Sequence, residues 1–187
     1  MTVIAVYDAN VLYPSLLRDL LIRVAAEGAV QAKWSEPILD EVFRNLTQNR
    51  PELKPDRLVR TRTLMNAAIR DVNVTGFDHL IDALELPDRN DRHVLAAAIH
   101  AHAHAHVIVT FNLKDFPAEK LTPHHLTAQH PDVFLTDRLD ENHTLVTEAV
   151  RTIAAVSHNP PRTVADIIAR LDASGLSTLA TQLRKQP

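Results

Sequence analysis

Val3-Ile4-Ala5-Val6-Tyr7 runs straight into Asp8, and Val107-Ile108-Val109-Thr110-Phe111 runs into Asn112 and Asp115. Each is a short β-branched, apolar run of the kind that forms a buried strand, and each delivers a polar or acidic group as the strand ends. A carboxylate at such a position costs core stability. Open α/β sheets tolerate it because they bind ligands in the crevice outside the carboxyl ends of their strands. Acids gathered in that crevice most simply hold a hard divalent cation. For either residue alone, a turn-capping Asp is an equally good reading.

Outward from these two runs, strands alternate with helical patterns. Ser15 is placed to cap a helix with Leu16, Leu17, Leu20, Leu21, Val24 and Ala25 on one face, ending at Gly28. Val30 to Trp34 reads as a second strand. Ser35 then opens a helix with Pro37 in its first turn and Ile38, Leu39, Val42, Phe43 and Leu46 along one stripe, Glu41 lying beside it. Further helices are expected over Asp56 to Arg70, over Asp78 to Leu84, and after Asp88 or Asn90, with Val72-Asn73-Val74 a short strand candidate. The alternation predicts an α/β domain, a parallel sheet with helices on both faces. After Phe116-Pro117 the texture changes: prolines interrupt the chain, Val133-Phe134-Leu135 is a lone apolar run, and helices are expected over Glu141 to Val156 and Thr163 to Leu171, the latter with a Thr163/Asp166 capping box. The expected organisation is one domain over 1–120 and a C-terminal helical extension over 121–187, too small for a core of its own.

Composition narrows the chemistry. The chain has 187 residues, 45% of them hydrophobic, ample for a buried core. It has no cysteine, which removes disulfides, thiolate metal sites and cysteine nucleophiles together. No stretch reaches membrane-spanning length, and the N-terminus has no basic segment of the kind that opens a signal peptide, so no membrane association and a cytoplasmic location are expected. A net charge of −3 argues against a general basic coat for nucleic acid but permits a local basic groove facing an acidic pocket.

Taken together the acids become specific. Val6-Tyr7-Asp8-Ala9-Asn10-Val11, Ile38-Leu39-Asp40-Glu41-Val42, the run Pro87-Asp88-Arg89-Asn90-Asp91-Arg92-His93 continuing into Val94-Leu95-Ala96-Ala97-Ala98, and Val107 through Asn112-Leu113-Lys114-Asp115-Phe116 stand in an order and spacing that resembles the PIN-domain ribonucleases, over about residues 3 to 117. The resemblance implies a PIN-like parallel sheet flanked by helices and a Mg2+- or Mn2+-dependent endoribonuclease, most often the VapC-like toxin of a bacterial toxin–antitoxin pair, with RNA as substrate, a cognate antitoxin protein as partner and a homodimer as a further expectation. Carried over by position, the metal-holding and catalytic carboxylates are Asp8, Glu41, Asp91 and Asp115, with Asn10, Asp88, Thr110 and Asn112 in support. Many family members place an acid where this chain has Asn112, and the later Asp115 is expected to take that role.

Basic residues near these acids, Arg44, Arg89, Arg92 and Lys114, are candidates for RNA phosphates. Arg44 follows Glu41 by three residues and shares its helix face. Asp40 points elsewhere and is read as solvated. Arg57, Arg60, Arg62 and Arg70 form either a solvated stripe or an interface. The tract Ile99-His100-Ala101-His102-Ala103-His104-Ala105-His106 is read as a surface continuation of its helix, a Zn2+ or Ni2+ site being the alternative. With one Trp, two Tyr and five Phe, no base-stacking platform is evident. Two other classes stay in view. One is a catalytically silent PIN-like binding or assembly module. The other is a haloacid-dehalogenase-like phosphatase, disfavoured because Asn10 stands where that family's second Asp belongs.

Overall fold

The computed structural model describes residues 2–101 and 105–185. Strand β1 (Val3–Tyr7) is followed by the one-turn helix α1 (Ala9–Leu12) and by α2 (Ser15–Ala26), whose start is set by Pro14 rather than by a Ser15 side-chain cap. Strand β2 (Val30–Lys33) leads to α3 (Glu36–Asn49), where Ser35 Oγ accepts from Ile38 N, as its position predicts. Helix α4 (Pro55–Ala68) and the short α5 (Asp78–Ile81) follow; between them the expected strand at 72–74 is reduced to a single bridge from Asn73 to Trp34. Asp88 caps a 3-10 turn, Arg89–Asp91, that feeds α6 (Arg92–His100), and β3 (Val107–Val109) comes next. Helix α6 ends at His100, and the His102–His104 part of the histidine tract lies outside the described residues.

Beyond β3 stand the short helix α7 (Ala118–Leu121), a strand β4 (Thr127–Gln129) and four helices, α8 (Pro131–Glu141), α9 (His143–Ala155), α10 (Val164–Ala173) and α11 (Ser177–Leu183). The run Val133-Phe134-Leu135 is thus helical. The Thr163/Asp166 capping box forms as its sequence predicts.

The four strands make one parallel sheet in the order β2-β1-β3-β4. From β1 the chain winds outward to β2, then crosses back to β3 on the other side. The boundary between β1 and β3 is therefore the topological switch point, where helical connections leave in opposite directions and a crevice opens at the carboxyl edge. Helix α6 packs on β1 and β3, and α2 on β2. Helices α3 and α4 are tied by Glu36, which accepts from Asn66 Nδ2 (3.3 Å) and Asn73 Nδ2 (2.7 Å) and pairs with Arg62; Arg62 also holds Asp40 at 2.7 Å, so this arginine belongs to the fold rather than to a free basic stripe.

The C-terminal helices share the core of the sheet. Phe134 of α8, fully buried, meets Tyr7 of β1 edge-on at 6.1 Å, and the Arg138 guanidinium lies 5.2 Å from the Phe134 ring. Helix α9 packs on α2, and Asp132 of α8 caps α11 by accepting from Thr178 N (3.1 Å) and Leu179 N (2.9 Å). Phe134→Ala should cost about 3–5 kcal/mol, the usual penalty for emptying a buried aromatic site. Because the sole tryptophan, Trp34, is buried at the far side of the sheet, its fluorescence should report the shifted urea midpoint. A Trp34 transition left unmoved would mean that the two parts unfold separately.

Candidate active site

Asp8 stands at the carboxyl end of β1, next to the end of β3, and is only 5% exposed. Its carboxylate is held by three donors: Ala9 N to Oδ1, and Asn10 Nδ2 and Thr110 Oγ1 to Oδ2, each at 2.7 Å. Thr110 Oγ1 also accepts from Asn10 Nδ2 (2.9 Å) and from Asn112 N (3.0 Å), while Asn10 Oδ1 accepts from Phe111 N (3.1 Å). Asn10 and Thr110 thereby lock the two central strand ends together and fix the orientation of Asp8.

The other acids reach the same rim from three further segments: Glu41 from the middle of α3, Asp88 and Asp91 from the turn that opens α6, and Asp115 from the 3-10 turn after β3. Their mutual repulsion shows the convergence. Burial is the main cause that pushes the Asp91 carboxyl up to about 7, and the charges of Asp8, Asp88, Asp115 and Glu41 push in the same direction. Glu41 is raised by burial and by Asp8 and Asp88, with Arg44 opposing. Asp8 is raised by burial, against the pull of its three hydrogen bonds, with Asp115 adding to the rise. The Asn112 amide donates to Asp115 Oδ2, orienting that carboxylate.

Of the basic candidates, Arg44 lies close enough to Glu41 to lower its pKa, the half-buried Arg92 donates through Nε to the Arg89 carbonyl (3.1 Å), and Arg89 and Lys114 are exposed beside the acids. Arg89 and Arg92 line a cleft of about 560 Å3 of mixed charge, shared with Asp82, Glu119 and the Lys120–Glu85 pair (2.9 Å). One residue escapes sequence reading: His93 Nε2 sits 3.9 Å from Glu41 Oε2, with its Nδ1 buried and unpartnered among the described residues. Burial lowers the pKa of this ring. Only the fold brings α3 and α6 together there, and its signal in sequence is merely the position two residues after Asp91.

Among the described residues no three acid or histidine side chains close into a ready-made metal cage. The donor set nevertheless suits a hard cation: carboxylate oxygens with raised pKa values and amide and hydroxyl groups that orient them.

A PIN-domain profile matches residues 5–114, more than half of the chain, and the chain belongs to the PIN-domain family. A second profile, described as the VapC50 C-terminal domain, matches residues 131–185. The protein described as "Putative ribonuclease VapC50" from Mycobacterium tuberculosis (strain ATCC 25618 / H37Rv) is 49% identical over 65 residues, which is 35% of this chain and 37% of that relative's length. No solved structure matches significantly.

The raised carboxyls set a pH dependence. An acid whose folded pKa lies above its unfolded value destabilises the fold once ionised; that cost is absent below the unfolded pKa and complete above the folded one. With Asp91 moved from 3.8 to about 7, the cation-free protein should lose stability as pH climbs across that interval, Asp8 and Glu41 acting in the same sense. Thermal unfolding in chelator should show a falling melting temperature between about pH 4 and pH 7, a slope that Asp91→Asn reduces. A slope unchanged in Asp91→Asn would remove Asp91 from the acidic rim.

Proposed function

We propose that the protein is a divalent-cation-dependent endoribonuclease, the toxin of a type II toxin–antitoxin pair. The observation that carries this reading is the convergence of Asp8, Glu41, Asp91 and Asp115 at the switch point between β1 and β3, with Asp8 held rigid by Asn10 and Thr110. The family membership and the partial identity to a VapC50 ribonuclease support the substrate class. In this reading Asp8, Glu41, Asp91 and Asp115 hold Mg2+ or Mn2+, and Asp88 and Asn112 orient the ligand set. Bound there, the cation supplies an activated water and neutralises charge that develops on the scissile phosphate. Arg44, Arg89, Arg92 and Lys114 grip the phosphates on either side, and Thr110 and Asn10 keep the Asp8 carboxylate aimed at the rim. No side-chain nucleophile is required.

The same proposal divides the chain into a nuclease unit over 1–120 and a helical extension over 121–187, with β4 contributed to the sheet from the second segment. It places the protein in the cytoplasm; among the described residues no helix is long and apolar enough to cross a membrane.

Purified protein should cleave RNA with Mg2+ or Mn2+ and lose that activity in chelator. Asp8→Asn and Asp115→Asn should each abolish cleavage, while Asn112→Ala, which removes only an orienting amide, should be milder. Full cleavage by Asp8→Asn would sink the assignment, and absence of cleavage with any divalent cation would favour a silent binding module. In bacteria, wild-type expression should arrest growth, Asp8→Asn at matched levels should not, and the product of the neighbouring gene should relieve the arrest. Its basic side chain would replace the cation among the acids. Equal tolerance of wild type and Asp8→Asn would argue against a toxin even if cleavage were seen in vitro.

A further inference from the structure

At the carboxyl edge of the sheet two rings meet that lie nineteen positions apart in sequence: Phe111, just past β3, and His130, just past β4, with centroids 5.0 Å apart and planes at 79°. The parallel pairing of β3 with β4 sets this contact, Thr110 N donating to the Gln129 carbonyl at 3.0 Å immediately before the two rings. Both are anchored at their own ends. Phe111 N donates to Asn10 Oδ1, the same amide that holds Asp8, and His130 Nδ1 accepts from Asp132 N (3.2 Å) as the cap of α8. The turn between α10 and α11 lies beside Phe111: a Cβ on Gly175, whose φ is +89°, would stand at an ordinary contact distance of 4.0 Å from the ring.

Neither ring is buried. In an edge-to-face contact the ring that presents its edge keeps both of its faces clear of its partner. Phe111 is also flanked in sequence by Thr110, which donates to Asp8, and by Asn112, which donates to Asp115. Phe111, partly buried against the core, thus stands one residue in sequence from each of two donors to the acids, with the partly exposed His130 edge-to-face against it. Single-stranded RNA is recognised by stacking unpaired bases on such rings, a contact that tolerates sequence because every base has a π-face.

We propose that Phe111 and His130 form a nucleobase-stacking subsite that takes an unpaired base next to the phosphate held at the acidic rim. The inference rests on the ribonuclease reading and deepens it, since it gives the segment after residue 120 a part in substrate binding: His130 supplies half of the platform and the Gly175 turn supports the other half.

Binding is measured by fluorescence anisotropy on the full chain carrying Asp8→Asn, with short oligoadenylate and oligouridylate as probes and an abasic backbone of equal length as control. Adding Phe111→Leu, which keeps apolar bulk against Gly175, or His130→Asn, which keeps an acceptor for the α8 cap, should weaken base-bearing probes by on the order of tenfold and leave the abasic probe unchanged. Phe111→Tyr should bind like phenylalanine. Equal loss on base-bearing and abasic probes, no loss on either, or a parent chain that binds both alike would overturn the subsite. Cleavage by the wild type decides the ribonuclease reading separately: cleavage with no base-dependent binding leaves that reading standing, whereas a chain that neither binds nor cuts RNA fails both.

Discussion

A buried carboxylate joined to two strand ends is the constraint on which the arrangement of the rim depends. Asp8, at 5% exposure, must have its lone pairs filled or pay a large desolvation cost. Thr110 and Asn10 fill them, and in doing so they fasten the end of β1 to the end of β3. The same two side chains receive the backbone N–H groups of Asn112 and Phe111, so the path of the chain leaving β3 is set by the groups that satisfy Asp8. Asp115 then arrives at the rim through a turn whose first residues are already fixed. The position of one acid thus follows from the hydrogen-bonding needs of another.

Charge is handled in two opposite ways on a single helix. At the start of α3, Glu36 accepts from Asn73, Arg62 and Asn66, and these bonds together with the Arg62 charge pull its pKa below the ordinary value despite the cost of burial. Asp40, one turn on, shares the same arginine. Glu41 is the next residue, yet it turns about 100° away; burial, with Asp8 and Asp88 adding their charge, raises its pKa. The fold compensates its acids where they serve packing and leaves them in mutual repulsion at the switch point. Under the proposed function, a cation bound there would relieve that repulsion and so gain from the cost of ionising the group.

Strands β1 and β3, the Ser35 cap and the Thr163 capping box were legible because each is encoded locally, by an apolar run or by a side chain that bonds to nearby backbone. Strand β4 was not: Thr127-Ala128-Gln129 has neither length nor apolar alternation, and only pairing with Val107–Val109 makes it a strand. Val133-Phe134-Leu135 has strand-like composition, but Pro131 at the first turn and the His130 cap start a helix there. At the candidate site, Asp8 and Asp115 follow strand ends and Asp88 and Asp91 stand at a helix start, places visible in the sequence, whereas Glu41 lies mid-helix and is marked only by the family resemblance. His93 against Glu41, Phe111 against His130, and Asn112 turned toward Asp115 could not, because each is a contact between elements whose approach depends on the whole winding of the sheet.

The helices after β4 are bound into the same core that supports the rim. Tyr7 precedes Asp8 directly, and its ring is packed by Phe134, which in turn lies beneath Arg138, itself paired with Glu141 at 2.7 Å. Tyr7 Oη, Arg138 Nε and Thr136 Oγ1 are buried without partners among the described residues, so this contact rests on apolar packing and on the cation over the ring. Successive side chains of a strand point to opposite faces. At the end of β1 one face therefore carries the aromatic contact that anchors the C-terminal helices, while the next residue carries the acid. The C-terminal segment thus meets the sheet at two places beside the rim, Phe134 on Tyr7 and β4 along β3.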